Sequence, residues 1–90
     1  MKVRYSPRSI EALDDIRRYI SKDDPSAAWV VASFIRQTIR HLERWPYQGR
    51  ATERDGVRRI VVINYPYVVY YHVNDHRVLI LTVMHTAQDR

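Results

Sequence analysis

The sequence predicts an α+β domain in the order β-α-α-β-β-β, a helical hairpin packed on a small, mainly antiparallel sheet. Three observations carry that prediction. Ser6-Pro7 and Asp24-Pro25 are two cap-then-proline signals, each opening a stretch with apolar residues at helical spacing. After Gly56 the chain turns to valine, isoleucine and tyrosine in three runs separated by turn-forming residues. With two glycines, four prolines and no low-complexity stretch, nothing divides the 90 residues, so positions 1–90 are expected to form a single domain.

Taken in order, Lys2 to Tyr5 alternates polar and apolar residues and reads as a short first strand. Ile10, Leu13, Ile16 and Ile20 make one stripe of the first helix, with Asp14 and Arg18 at the spacing of an exposed ion pair. The second helix carries Ala28, Val31, Phe34, Ile35, Thr38 and Leu42 at the same period and ends at Trp45-Pro46. The short Ser21–Asp24 turn makes the two helices an antiparallel hairpin. Residues 46–56 read as loop. Val57–Ile63, Tyr67–Val73 and Val78–Met84 then form a meander, turned at Asn64-Tyr65-Pro66 and Asn74-Asp75-His76. The last of these strands is apolar on both faces, which predicts a central strand covered on both sides.

Composition narrows the function. The absence of cysteine excludes a disulfide scaffold, a thiol catalyst and any cysteine-bearing metal site. The four histidines lack ligand spacing with a nearby carboxylate, so neither metal nor cofactor is expected. No signal-peptide-like stretch or membrane-length apolar run occurs, and a cytoplasmic location away from any membrane is expected. The formal charge is +5, and only Lys2 and Lys22 among the fifteen cations are lysine. Guanidinium groups in that number suit a polyanion or an acidic protein segment. A core built from so short a chain is marginal, which also favours a partner that covers apolar surface.

Candidate functional residues fall into three groups. Arg36, Arg40 and Arg44 line one face of the second helix at four-residue spacing, and Arg58 and Arg59 are neighbours on a strand, so they point to opposite sides of the sheet. Tyr67 and Tyr71 share one sheet face with Val69, while Tyr70 lies on the other with Val68 and His72, placed to stack on a base or anchor a protein. His85 follows the last strand in alternation with Leu79, Leu81 and Val83, where it can serve as a general acid or base. Each group has an ordinary structural explanation too: a solvated helix face, tyrosines favoured by strands, a strand-end histidine bonded to backbone. No nucleophile elbow, P-loop, dinucleotide fingerprint or carboxylate pair is present. An enzyme built from this inventory would work with Arg, Tyr and His, a set suited to RNA cleavage and equally to binding without chemistry.

The order of motifs resembles one family across nearly the whole chain, the RelE/ParE toxins of bacterial type II toxin–antitoxin systems. The resemblance rests on Val3-Arg4-Tyr5-Ser6-Pro7 before the Leu13-Asp14-Asp15-Ile16 helix, on Trp45-Pro46 through Gly49 to Gly56-Val57-Arg58, and above all on Tyr65-Pro66-Tyr67-Val68-Val69-Tyr70-Tyr71 followed by Val78 to His85. It implies the RelE/ParE-like fold and a growth-arresting toxin, of the kind that stabilises plasmids. It also implies a cognate antitoxin whose acidic or amphipathic C-terminal segment wraps the toxin, and operator DNA bound only through that antitoxin. RelE-like members cut mRNA on the ribosome and often use a tyrosine near the C-terminus. ParE-like members inhibit DNA gyrase. Here no tyrosine follows the last strand, and His85-Thr86-Ala87-Gln88-Asp89 resembles the ParE-like ending. Gyrase inhibition by binding is therefore the first expectation. Ribosome-dependent cleavage by Arg58, His85 and Arg90 is the second, and an inactive toxin fold kept as a nucleic-acid- or protein-binding module the third.

Overall fold

The chain begins with strand β1 (Lys2–Tyr5), followed by helices α1 (Pro7–Ser21) and α2 (Pro25–Arg44). Strands β2 (Arg50–Ala51), β3 (Val57–Val61), β4 (Tyr67–Val73) and β5 (Arg77–His85) follow, and a single 3-10 turn (Thr86–Gln88) comes last. The structure is a computed structural model that describes residues 1–89.

Both helices start where the capping chemistry places them. The Ser6 hydroxyl accepts from the Ser9 N–H at 3.0 Å, and the Asp24 carboxylate accepts from the Ala27 N–H at 3.1 Å. Ser6 also ties α1 to the sheet: its N–H and hydroxyl donate to the Ile80 and Leu81 carbonyls, both at 3.0 Å. On the exposed side of α1, Asp14 pairs with Arg18 at 3.2 Å and with Arg17 at 2.6 Å. Among the described residues no helix is long and apolar enough to cross a membrane.

The sheet runs in the order β1-β5-β4-β3-β2. Only β1 with β5 is parallel, because the helical hairpin carries the chain across one face of the sheet before the meander begins. Both helices lie on that face. Val31, Ile35, Ile39 and Leu42 of α2 meet Val69, Tyr71, Val73, Val78, Ile80 and Val83 of the sheet in one continuous core. Ile39 belongs to this core beside the stripe read from the sequence, whereas Ile10 of the expected α1 stripe stays 57% exposed.

The structure corrects the sequence reading in four further places. The expected loop 46–56 contains β2, two residues paired with Arg58 and Arg59, so the sheet has five strands. Regular β3 stops at Val61, short of the expected Ile63. Strand β5 is interior to the sheet, as expected, but it is not covered on both sides. Val78, Ile80 and Val83 are buried, while Leu79, Leu81 and Met84 remain half-buried on a face that neither α-helix covers. The fourth correction concerns register. Tyr70 pairs with Thr82 and Tyr71 with Ile80, so Leu81 is the extra residue of a β-bulge. Simple alternation put His85 on one face with Leu79 and Leu81. The bulge shifts the phase, and His85 emerges with Val83, Ile80 and Val78 on the helix side.

Candidate functional site

The sheet's alternation sorts the candidate side chains into separate neighbourhoods. Neighbouring residues of β4 point to opposite faces, and so do those of β3. Arg58 pairs across the strands with Tyr71, and Arg59 with Tyr70. Two arginine–tyrosine pairs thus stand back to back through the sheet.

On the helix-covered side, Tyr71 is fully buried. Its hydroxyl donates to the Pro46 carbonyl at 2.8 Å and accepts from the Gly49 N–H at 2.9 Å. Burial pushes this phenol's pKa up, against the opposing pull of the Gly49 N–H and the Arg58 charge. Arg58 lies beside it over the Tyr47 ring, 5.2 Å from the centroid, and donates to the Gly49 carbonyl at 2.7 Å and the Tyr47 carbonyl at 3.3 Å. Gly49 is required at this junction. A Cβ there would fall 2.6 Å from the Tyr71 hydroxyl and 2.8 Å from the Arg59 carbonyl. Tyr71 and Arg58 therefore pin the 46–50 segment to the sheet.

On the open side, Asp89 accepts a hydrogen bond from the Tyr70 hydroxyl and an ion pair from Arg59 at 2.5 Å. The guanidinium also sits 5.9 Å from the centroid of the Tyr70 ring. The Tyr70 hydrogen bond first, and Arg59 second, hold the Asp89 carboxyl below the usual carboxylate range. The same bond to Asp89 pushes the Tyr70 phenol up, and Asp89 likewise raises Arg59. Arg8, Arg54, Thr52 and Thr82 share this concave surface. Sequence reading did not place Asp89 among the candidate residues. The one trace of it was the spacing from His85, and linear spacing does not show that the chain end returns to β3.

The remaining candidates lie elsewhere. His85 packs edge-on against Tyr67, 5.4 Å between ring centroids, in a small hollow with Asp15, Ile16 and Tyr19 of α1. Its Nδ1 accepts from the Ala87 N–H at 3.0 Å and starts the closing 3-10 turn. Arg36 and Arg40 flank Tyr5 and Glu43 along β1. Burial raises the Tyr5 phenol's pKa, while those two arginines pull it down. Arg44 leans on Trp45, 5.8 Å from the ring centroid. Arg90 lies outside the described residues.

The three-residue cleavage set is therefore not assembled at the two positions the structure describes. Arg58 pairs with Tyr71 and His85 with Tyr67, four residues apart along β4 and on opposite flanks of it. Strand geometry separates them by roughly 16 Å. Among the described residues no group of three or more His, Asp or Glu could hold a metal ion.

Comparison with known proteins agrees with the fold. A family model described as the ParE toxin of the type II toxin–antitoxin system parDE matches residues 3–90. A Sinorhizobium fredii protein named as a toxin, Y4kP, is 37% identical over 87 residues, which cover 97% of this chain and 90% of that protein. Toxin RelE2 of Caulobacter vibrioides is 32% identical over 87 residues, 97% of each chain. Among solved structures, a chromosomal ParDE toxin–antitoxin system from P. aeruginosa superposes with a TM-score of 0.82 at 23% identity, covering 94% of this chain and 95% of that one.

Proposed function

The chain belongs to the ParE toxin family of type II toxin–antitoxin systems, and from that premise we propose that it arrests growth by binding DNA gyrase rather than by cutting RNA. The observation that carries this reading is the dispersal of the cleavage set. General acid–base catalysis needs its groups within hydrogen-bond reach of one reacting centre. Arg58 is committed to two backbone carbonyls, and His85 stands at the far end of the sheet with its Nδ1 engaged by the Ala87 N–H. What the surface offers is material for an interface: exposed Trp29, Tyr19, Trp45 and Tyr47, interleaved with arginine.

The antitoxin fits the other side of the hairpin. A hollow between the helices is lined by Ile10, Leu13, Ile16 and Ala28, with Arg36 and the Asp14–Arg17 ion pair beside them. An amphipathic segment with an acidic residue facing Arg36 complements its floor and that part of its rim.

The test is a supercoiling assay with gyrase, relaxed plasmid and titrated toxin. Inhibition that the antitoxin reverses is the expected result. The name of the Caulobacter relative, Toxin RelE2, supports the rival reading of ribosome-dependent cleavage. That reading predicts untouched gyrase, mRNA cut on ribosomes, and loss of toxicity from His85→Ala alone. Folded protein that does neither, and whose expression leaves growth unaffected, would point to the binding module.

A further inference from the structure

The open face of the sheet carries more positive charge than its one internal carboxylate neutralises. Arg59 on β3 points there, and Arg8 and Arg54 border the same hollow; Glu53 is its other acid. Lys2 and Arg4 extend the cationic surface along β1, since their neighbour Val3 is the residue directed at the core. Among the described residues neither Arg8 nor Arg54 forms an ion pair. Threonine hydroxyls and the Tyr70 phenol line the floor between these cations.

Within this surface, Asp89 sits as a bound anion would. One carboxylate oxygen takes the Arg59 guanidinium and the other takes the Tyr70 hydroxyl. Two donors converging on separate oxygens of one group form an oxyanion fork. The segment that delivers Asp89 is lightly held: the Thr86 N–H bonds the Pro66 carbonyl at 2.8 Å, and the other backbone bonds are local to the 3-10 turn. When Asp89 swings out, Arg8, Arg54 and Arg59 against Glu53 leave a formal charge of +2 in the hollow, which matches a phosphate dianion.

We propose that Arg59 and Tyr70, with Arg8 and Arg54 on the rim, form a phosphate-binding site on the open sheet face, and that Asp89 is its displaceable internal occupant. The segment that carries Asp89 thereby acts as a latch, and an incoming phosphate must compete with it. The site is independent of the gyrase reading, and its test does not involve gyrase.

The experiment titrates inorganic phosphate into three full-length proteins: wild type, Asp89→Asn, and Asp89→Asn combined with Arg59→Gln. Removing the charge of the resident carboxylate should tighten phosphate binding about tenfold, and adding Arg59→Gln should abolish it. Equal affinity in wild type and Asp89→Asn, or binding that survives Arg59→Gln, overturns the proposal. A measurement on wild type needs no variant to fold. The Arg59 Nε–H resonance should move as phosphate is added, and a resonance that stays fixed to saturation counts against the site. An oligothymidylate arm on Asp89→Asn identifies the source of the phosphate. A far tighter, steeply salt-dependent complex marks a polynucleotide backbone, whereas affinity equal to that of inorganic phosphate marks a free phosphate or nucleotide.

Discussion

Tyr71 with Arg58 and Tyr70 with Arg59 are the same two residue types in adjacent registers of the same two strands, yet they differ in what holds them. The first pair ends on backbone: Pro46, Gly49 and Tyr47 supply main-chain partners from the segment that leads into β2. The second pair ends on one side-chain carboxylate, that of Asp89. A buried phenol whose partners are main-chain groups has no alternative arrangement, so it acts as a rivet. In the proposal made above, a half-buried phenol and guanidinium sharing a side-chain carboxylate exchange it for another anion. One face of the sheet thus carries the rivet and the other the proposed phosphate site.

Truncation of the riveted tyrosine should break this contrast most severely. Tyr71→Ala removes a fully buried ring from the main core and should cost about 3–5 kcal/mol in urea unfolding. Tyr70→Ala should cost much less, and equal losses would erase the distinction between the faces. Gly49→Ala comes next, at about 1–3 kcal/mol, because its new methyl meets the Tyr71 hydroxyl and a β3 carbonyl. A companion Tyr71→Phe should lose a similar amount by leaving the Gly49 N–H and Pro46 carbonyl without their partner.

The smallest effect is the sharpest probe of the open face. The Tyr70 hydrogen bond and Arg59 hold the Asp89 carboxyl below its ordinary, unfolded range. A depressed carboxyl stabilises the fold above the unfolded pKa, and the contribution is lost as pH falls through the folded one. The Tm difference between wild type and Asp89→Asn should therefore be present at neutral pH and shrink once the pH drops below about 4. A difference that persists unchanged in acid would mean that Asp89 contributes no charge-dependent stability.

Much of the fold was legible because it is encoded locally. Ser6-Pro7 and Asp24-Pro25 name their own helix starts, since a cap and a fixed φ act within one turn. The Tyr67–Val73 alternation assigned Tyr70 and Tyr71 to opposite faces correctly, because strand period is a property of the backbone. The composition of β5 showed it to be interior but misjudged its cover. Apolar residues on both faces do not imply cover on both: the helical hairpin lies on one side, as expected, and Leu79, Leu81 and Met84 on the other stay half-buried.

The charge and the family are thus read from the sequence itself, the two helix caps from interactions that reach only three residues along the chain, and the meander from short turns between its strands. Tertiary structure alone decided three matters. These are the bulge at Leu81 that carried His85 to the helix side, the pairing of β2 that set Gly49 against Tyr71, and the return of Asp89 to Arg59 across 30 residues of chain. Each depends on which strands become neighbours, and strand neighbours are chosen by the packing of the whole sheet.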